Sequence, residues 1–281
     1  MSLLKRFLRR HYLTRQAQTD EHADYLTDLL LTRIAITLAQ VAIMVGFFAL
    51  WELLAEYKMV DAFLVSRPTR VWQTILALHA NRTLYLHVGV TSLETVIGFV
   101  GGTVVGTLLA AILWWWPNVS RTLDPYLVVL NSLPKIALGP LFIVWLGTNP
   151  TTIVAMALAI SLITTVLVVH SGFKEVDPLR LKLVNSFGAS KWQAFKYIIL
   201  PGSLPTIMSA LKVNVGLSWV GVIVGEFLVS RAGLGYLAIY GGQVLNMHLV
   251  MTSVLLLAVA AAVMYQVVVL IEKKVMVHHE Q

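Results

Sequence analysis

Residues 185–205 read NSFGASKWQAFKYIILPGSLP, and this stretch sits apart from its surroundings. Its residues are small, basic and amphipathic, and it stops on Leu-Pro. The chain around it is apolar: of 281 residues, 58% are hydrophobic and only 12% charged, with a mean hydropathy of +0.78. Soluble domains carry about a quarter charged residues, so a bilayer is the solvent for most of this chain. Such a helix inside a membrane protein either rests on the bilayer surface or meets a partner in water.

Six runs reach the roughly 20 apolar residues that a helix needs to cross the hydrocarbon core: 34–55, 87–113, 123–147, 151–172, 204–228 and 249–271. Runs of this length favour helices over a barrel, which predicts an all-α, six-span membrane domain over 34–272. The even number puts both ends on one side. Of the 21 Lys and Arg residues, fourteen fall on the side of the N-terminus, five on the other and two within spans. The positive-inside bias therefore places both termini in the cytosol. It leaves a cytosolic arm over 1–33, a cytosolic loop over 173–203 and a cytosolic tail over 273–281. The arm is too polar to be a cleaved signal peptide. It is either a surface helix resting Leu3, Leu4, Phe7 and Leu8 on lipid or an unstructured tail. Outside, a short helix is expected after Pro68, lying along the outer surface on Val71, Ile75 and Leu78.

The inner loop divides at Gly188. Before it, Leu179, Leu183, Val184 and Phe187 share a helical face. After it, Trp192, Phe195 and Ile199 do the same, with Lys191, Gln193 and Lys196 opposite. Gly188 permits a turn that a side chain would hinder, and Ala189 and Ser190 keep the corner thin. Pro201, after Leu200, marks a break before the fifth span. Two short helices at an elbow are the result, either packed on the bilayer surface or offered to another protein.

The spacing of Gly188, Ile198 and Leu200-Pro201 resembles the EAA loop of ABC-importer permeases, whose short coupling helix docks on a cytosolic ATPase. Lys182, Leu183 and Val184 stand where that motif has Glu-Ala-Ala. SLPKIALGPLFIVWLG, residues 132–147, resembles a signature of the nitrate/sulfonate/taurine/bicarbonate branch, and GEFLVSRAGLGYL, residues 225–237, resembles another. FLVSRPTRVWQTI resembles an extracellular segment of the same branch, with only Pro68 kept. The resemblance runs from about residue 60 to 272 and implies a type I importer permease in the bacterial cytoplasmic membrane. It also implies a second permease copy, two cytosolic ATPases and an extracytoplasmic substrate-binding protein. In that setting Gly188, Ala189, Ser190, Lys191, Trp192, Leu200 and Pro201 would couple to the ATPase.

Nothing in the chain matches the phosphate-cradling G-x-x-x-x-G-K-[ST], so ATP and its Mg²⁺ would be bound by the partner. No cofactor, metal or nucleic acid is expected for this chain, and no nucleophile–base pair suggests covalent chemistry. In the second span Gly98, Gly102 and Gly106 form a stripe for close helix packing, within the subunit or across a pair; Gly221 and Gly225 repeat it in the fifth.

Charges inside spans are functional candidates because burying them in lipid is expensive. Lys135, between Pro134 and Pro140, lies mid-span and either pairs with Glu94 or presents positive charge to an anionic substrate. Glu226, near the outer end of the fifth span, is placed to stay hydrated, to dock the binding protein or to latch a gate. Lys212 is near enough to the cytosol to snorkel. The readings that follow are an ATP-driven importer of a small anion or zwitterion working by alternating access, the same machine carrying an aromatic or pyrimidine vitamin precursor, or an ion-coupled secondary transporter.

Overall fold

The computed structural model describes residues 20–277. The surface helix expected on Leu3, Leu4, Phe7 and Leu8, and the end of the tail with His278 and His279, lie outside them. Every regular element among the described residues is helical. The chain forms two units, Met1–Arg70 and Val71–Gln281.

In the first unit, α1 (Asp20–Glu56) extends the expected span toward the N-terminus. No Gly or Pro interrupts residues 20–45, so the polar turns ahead of the apolar run continue the same helix. Ile36, Leu38, Ile43 and Phe47 are all exposed along it; lipid or another subunit has to cover them. After α2 (Ala62–Val65), Pro68 opens α3 (Pro68–Ala80). The Glu52 carboxylate accepts from the backbone N–H and the hydroxyl of Thr69, at 3.0 and 2.8 Å. An acidic group at the first turn satisfies an otherwise open helix N-terminus.

The second unit is organised around α7 (Pro150–Glu175), which packs between α4 (Thr83–Trp115) and α11 (Leu204–Val229). The two glycine stripes explain why. A Cβ on Gly98 would lie 2.6 Å from Ala157 Cβ, one on Gly102 2.2 Å from Ser161 Oγ, and one on Gly106 2.7 Å from Thr165 Cβ. On the other flank, a Cβ on Gly221 would come within 2.5 Å of Ala157 Cα and one on Gly225 within 2.8 Å of Ile153 Cα. Both stripes therefore serve contacts within the subunit, and α7 is gripped from two sides at backbone distance. Asn214 ties the three helices together, its amide donating to Thr165 on α7 and Thr103 on α4.

The third span differs from the single helix expected over 123–147. It comprises α5 (Pro117–Ser132), a 3₁₀ turn (Lys135–Leu138) and α6 (Gly139–Leu146), and the two arms bend by 87°. Pro134 has no N–H to give and disfavours helical geometry at Leu133, whose ψ is 139°. Pro140 then starts a new helix in its first turn. At 16 residues, or about 24 Å, α5 alone is too short to cross the core.

The remaining elements are α8 (Pro178–Ser186), α9 (Lys191–Ala194), a π-helical turn (Phe195–Ile199), α10 (Leu200–Gly202), α12 (Leu234–Gln243) and α13 (Met247–Val277). Val71 of α3 is buried and Leu78 packs against the cluster of Val215, Trp219, Leu234, Leu237 and Leu257. The short helix after Pro68 thus uses the expected face, but against protein.

Candidate functional site

At one end of the unit, α7 gives way to the loop. Val176 is extended, and the Asp177 side chain caps the N-terminus of α8 by accepting from Leu179 N–H at 2.8 Å. At its other end Gly188 takes φ +79°, with its N–H on Asn185 O and that of Ala189 on Val184 O. Those two bonds are the Schellman pattern, which needs a left-handed residue after the helix. A Cβ at Gly188 would meet nothing within 4 Å. The glycine is there for its φ and not for crowding.

Ser190 then opens α9 with a reciprocal cap. Its Oγ accepts from Gln193 N–H, and the Gln193 side chain accepts from Ser190 N–H at 2.8 Å. The pattern Ser-x-x-Gln signals this in the sequence, so Ser190 does more than keep the corner thin. Phe195 and Ile199 insert into a cluster with Ala110, Val169, Phe173 and Ala210 and anchor the loop to α4, α7 and α11. Lys191 does not face away as expected. Its ammonium lies over the rings of Trp114 and Trp115, at 5.8 and 5.3 Å, and donates to Trp115 O. Nor does Pro201 break the chain. The preceding turn widens instead, with Leu200 N–H reaching Phe195 O, and α10 leads into α11. In contrast, Leu179 and Leu183 of α8 and Phe187 just after it are 68%, 58% and 82% exposed. One side of the elbow is anchored and the other is a bare apolar stripe.

At the far end of α11, Glu226 is 1% exposed. Buried in this way, it is not open to bulk water or to an external protein. Its Oε2 accepts from the N–H of Gly235 at 2.6 Å and of Tyr236 at 3.2 Å. Gly233 N–H donates to His87 Nδ1 and Leu234 N–H to Thr91 Oγ1. All four N–H groups that open α12 are thus met by side chains of α4 and α11. Gly233 (φ +119°) and Gly235 leave room for the carboxylate, since a Cβ on either would lie 2.3 and 2.8 Å from its oxygens. Glu94, 6% exposed, lies within hydrogen-bonding reach of the Glu226 carboxyl and lines a cavity of about 270 Å³ with Asn149, Ser230 and Arg231.

Lys135 is not paired with Glu94. It sits at the break in the third span, between Pro134 and Pro140, and donates to Asn131 O and Oδ1, both at 3.2 Å. Lys212 forms an ion pair at 2.9 Å with Glu272, at the end of the last expected span on α13. Residues unremarked in the sequence carry much of this architecture: His87, Thr91, Asn214 and Glu272 act through partners at least 49 positions away, and no local pattern marks them. Among the described residues no group of three or more His, Asp or Glu is placed to hold a metal.

The chain as a whole is similar to known proteins. The chain is 23% identical to the taurine transport system permease protein TauC of Escherichia coli (strain K12), over 79% of this chain and 84% of that one. It is 28% identical to the formylaminopyrimidine transport permease protein ThiX of Halalkalibacterium halodurans, over 66% and 74%. A bacterial ABC transporter involved in the import of the acidic polysaccharide alginate shares the fold, with a TM-score of 0.61 at 14% identity over 87% of this chain and 98% of that one. The family model described as binding-protein-dependent transport system inner membrane component matches residues 102–277, and the chain belongs to that family as a multi-pass permease of an ABC importer.

Proposed function

We propose that two copies of this permease, two cytosolic ATPases and an external binding protein import a small anionic or zwitterionic solute across the bacterial cytoplasmic membrane. ATP closure of the ATPases carries the elbows at Gly188, and the spans rotate from inward- to outward-open. The observation that carries this reading is the asymmetry of the loop: Phe195 and Ile199 are buried in the permease while Leu179, Leu183 and Phe187 are bare. An apolar stripe on a water-facing loop is a binding surface. The Trp115-held Lys191 and the caps at Ser190 and Gly188 make the elbow stiff enough to pass displacement to α11.

The opened third span supports a pathway role for Lys135. Its ammonium has Asn131 beside it and no carboxylate, at a helix break of the kind that builds transport sites. That arrangement favours an anionic group on the solute. The pyrimidine relative keeps a second substrate reading, the same machine carrying a vitamin precursor.

Leu183→Ser with Phe187→Ser tests the docking stripe. Because both side chains are exposed, the permease should melt as wild type while co-purification with its ATPase falls at least about tenfold, the loss of roughly one hot-spot residue. Undiminished co-purification with ATP-driven uptake intact would exclude the elbow as the coupling element.

A further inference from the structure

A cavity of about 360 Å³ lies on the elbow side, lined by Leu113, Trp114, Pro117, Ser120, Arg121, His170, Lys174 and Lys191. Three cations converge on it from different elements: Arg121 from the first turns of α5, Lys174 from the end of α7 and Lys191 from the elbow. One carboxylate opposes them, Asp124, which pairs with Lys174 at 3.4 Å. Ser120 Oγ bonds His170 Nε2 at 2.7 Å and reaches Asp124 Oδ1 at 3.4 Å. The cluster therefore carries an excess of positive charge that no ion pair among the described residues neutralises. Arg121 has no ion-pair partner among the described residues.

We infer that this cavity is a binding site for a phosphate group, held by Arg121, Lys174 and Lys191 where α4, α5 and α7 meet the elbow. The ligand chemistry is a phosphate ester, and its two sources are an anionic phospholipid headgroup and a soluble phosphate. The walls favour the lipid. Leu113, Trp114 and Pro117 supply an apolar side, and the adjoining Ile112, Trp116 and Val119 are exposed where the helices end. Basic pockets between spans on the cytosolic side suit acidic headgroups, whose acyl chains remain in the bilayer. Arg121 offers a planar fork for two phosphate oxygens, and the lysines add point charges. Since Lys191 also lies on Trp115, a bound phosphate would join the elbow to the ends of α4 and α7 and hold the coupling loop in register. The inference does not rest on the ATPase partner, because the site is complete within the chain.

Native mass spectrometry of the full-length permease, released from detergent and titrated with phosphatidylglycerol or phosphatidylcholine, reads the site directly. Phosphatidylglycerol should be retained at least about tenfold better than the zwitterionic lipid. Arg121→Gln with Lys174→Gln should weaken it about thirtyfold, and Arg121→Lys with Lys174→Arg should restore it. Inorganic phosphate, titrated by calorimetry, forms the second arm. Charge-dependent binding of phosphate without a lipid preference would keep the site and assign it to a soluble ester. Should the double variant fail to fold, Arg121→Gln alone supplies the comparison. Equal retention of both lipids by wild type and variant, with no phosphate binding, would overturn the site.

Discussion

At the start of α12, four backbone N–H groups depend on three side chains from other helices, and Glu226 serves two of them. Removing it strands Gly235 and Tyr236 N–H in a buried place, which costs about 1–3 kcal/mol for unsatisfied donors. Glutamine is different. Its carbonyl oxygen accepts the same two N–H groups, and its amide donates to the Glu94 carboxyl beside it, where two acceptors otherwise face each other. Glu226→Gln is therefore expected to melt near wild type and Glu226→Ala well below it, followed by thermal unfolding in detergent. Equal melting of the two would mean that the carboxylate does not hold the cap. Little of this was legible beforehand. Glu226 reads as a charge in a span, but its burial depends on Gly233 and Gly235 folding over it and on His87 and Thr91 from a helix more than a hundred residues away. The elbow is the opposite case. The Gly188 turn and the Ser190 cap are settled by neighbours within five residues, so the sequence carries them openly.

At the scale of elements, α11 holds two kinds of glycine only five positions apart. Gly221 packs against backbone: its added Cβ would meet Ala157 Cα at 2.5 Å, Ala157 N at 3.0 Å and Met156 O at 3.2 Å. Backbone cannot rotate aside, so α11 and α7 would have to separate. Gly216 faces open space, with nothing within 4 Å. Alanine there adds helix propensity of up to about 1 kcal/mol without a clash. Gly216→Ala should raise the melting temperature, while Gly221→Ala should lower it by overpacking worth about 1–3 kcal/mol. Two shifts of the same sign would refute the two-sided grip on α7. The stripe itself was visible as a four-residue period, but not which helix it faced, because a period names a face and leaves the partner open. The third span shows the same limit. Pro134 and Pro140 announce a weakened helix, but neither the 87° bend nor the packing of α6 on α7 can be read from them.

Across the whole molecule that bend decides the topology. Among the described residues five helices are long and apolar enough to cross a membrane, and the bent pair makes a sixth crossing only if α5 and α6 together traverse it. Counting crossings between Asn81, ahead of α4, and Asn185, in the elbow, resolves it. With α4, the bent pair and α7 all crossing, the count is odd and the two residues lie on opposite faces. If the pair re-enters on the side it left, the count is even and they share one. The distribution of Lys and Arg over the whole chain, fourteen on the side of the elbow against five on the other, already favours the first arrangement. The chain has no cysteine, so single cysteines at these two exposed sites report cleanly. A membrane-impermeant maleimide added to intact cells should label Asn81→Cys and leave Asn185→Cys unlabelled until the membrane is opened. Labelling of both from outside, or of neither, would make the third element a re-entrant hairpin. The elbow would then share a face with Asn81, and ATPase and binding protein could not engage opposite sides as an importer requires.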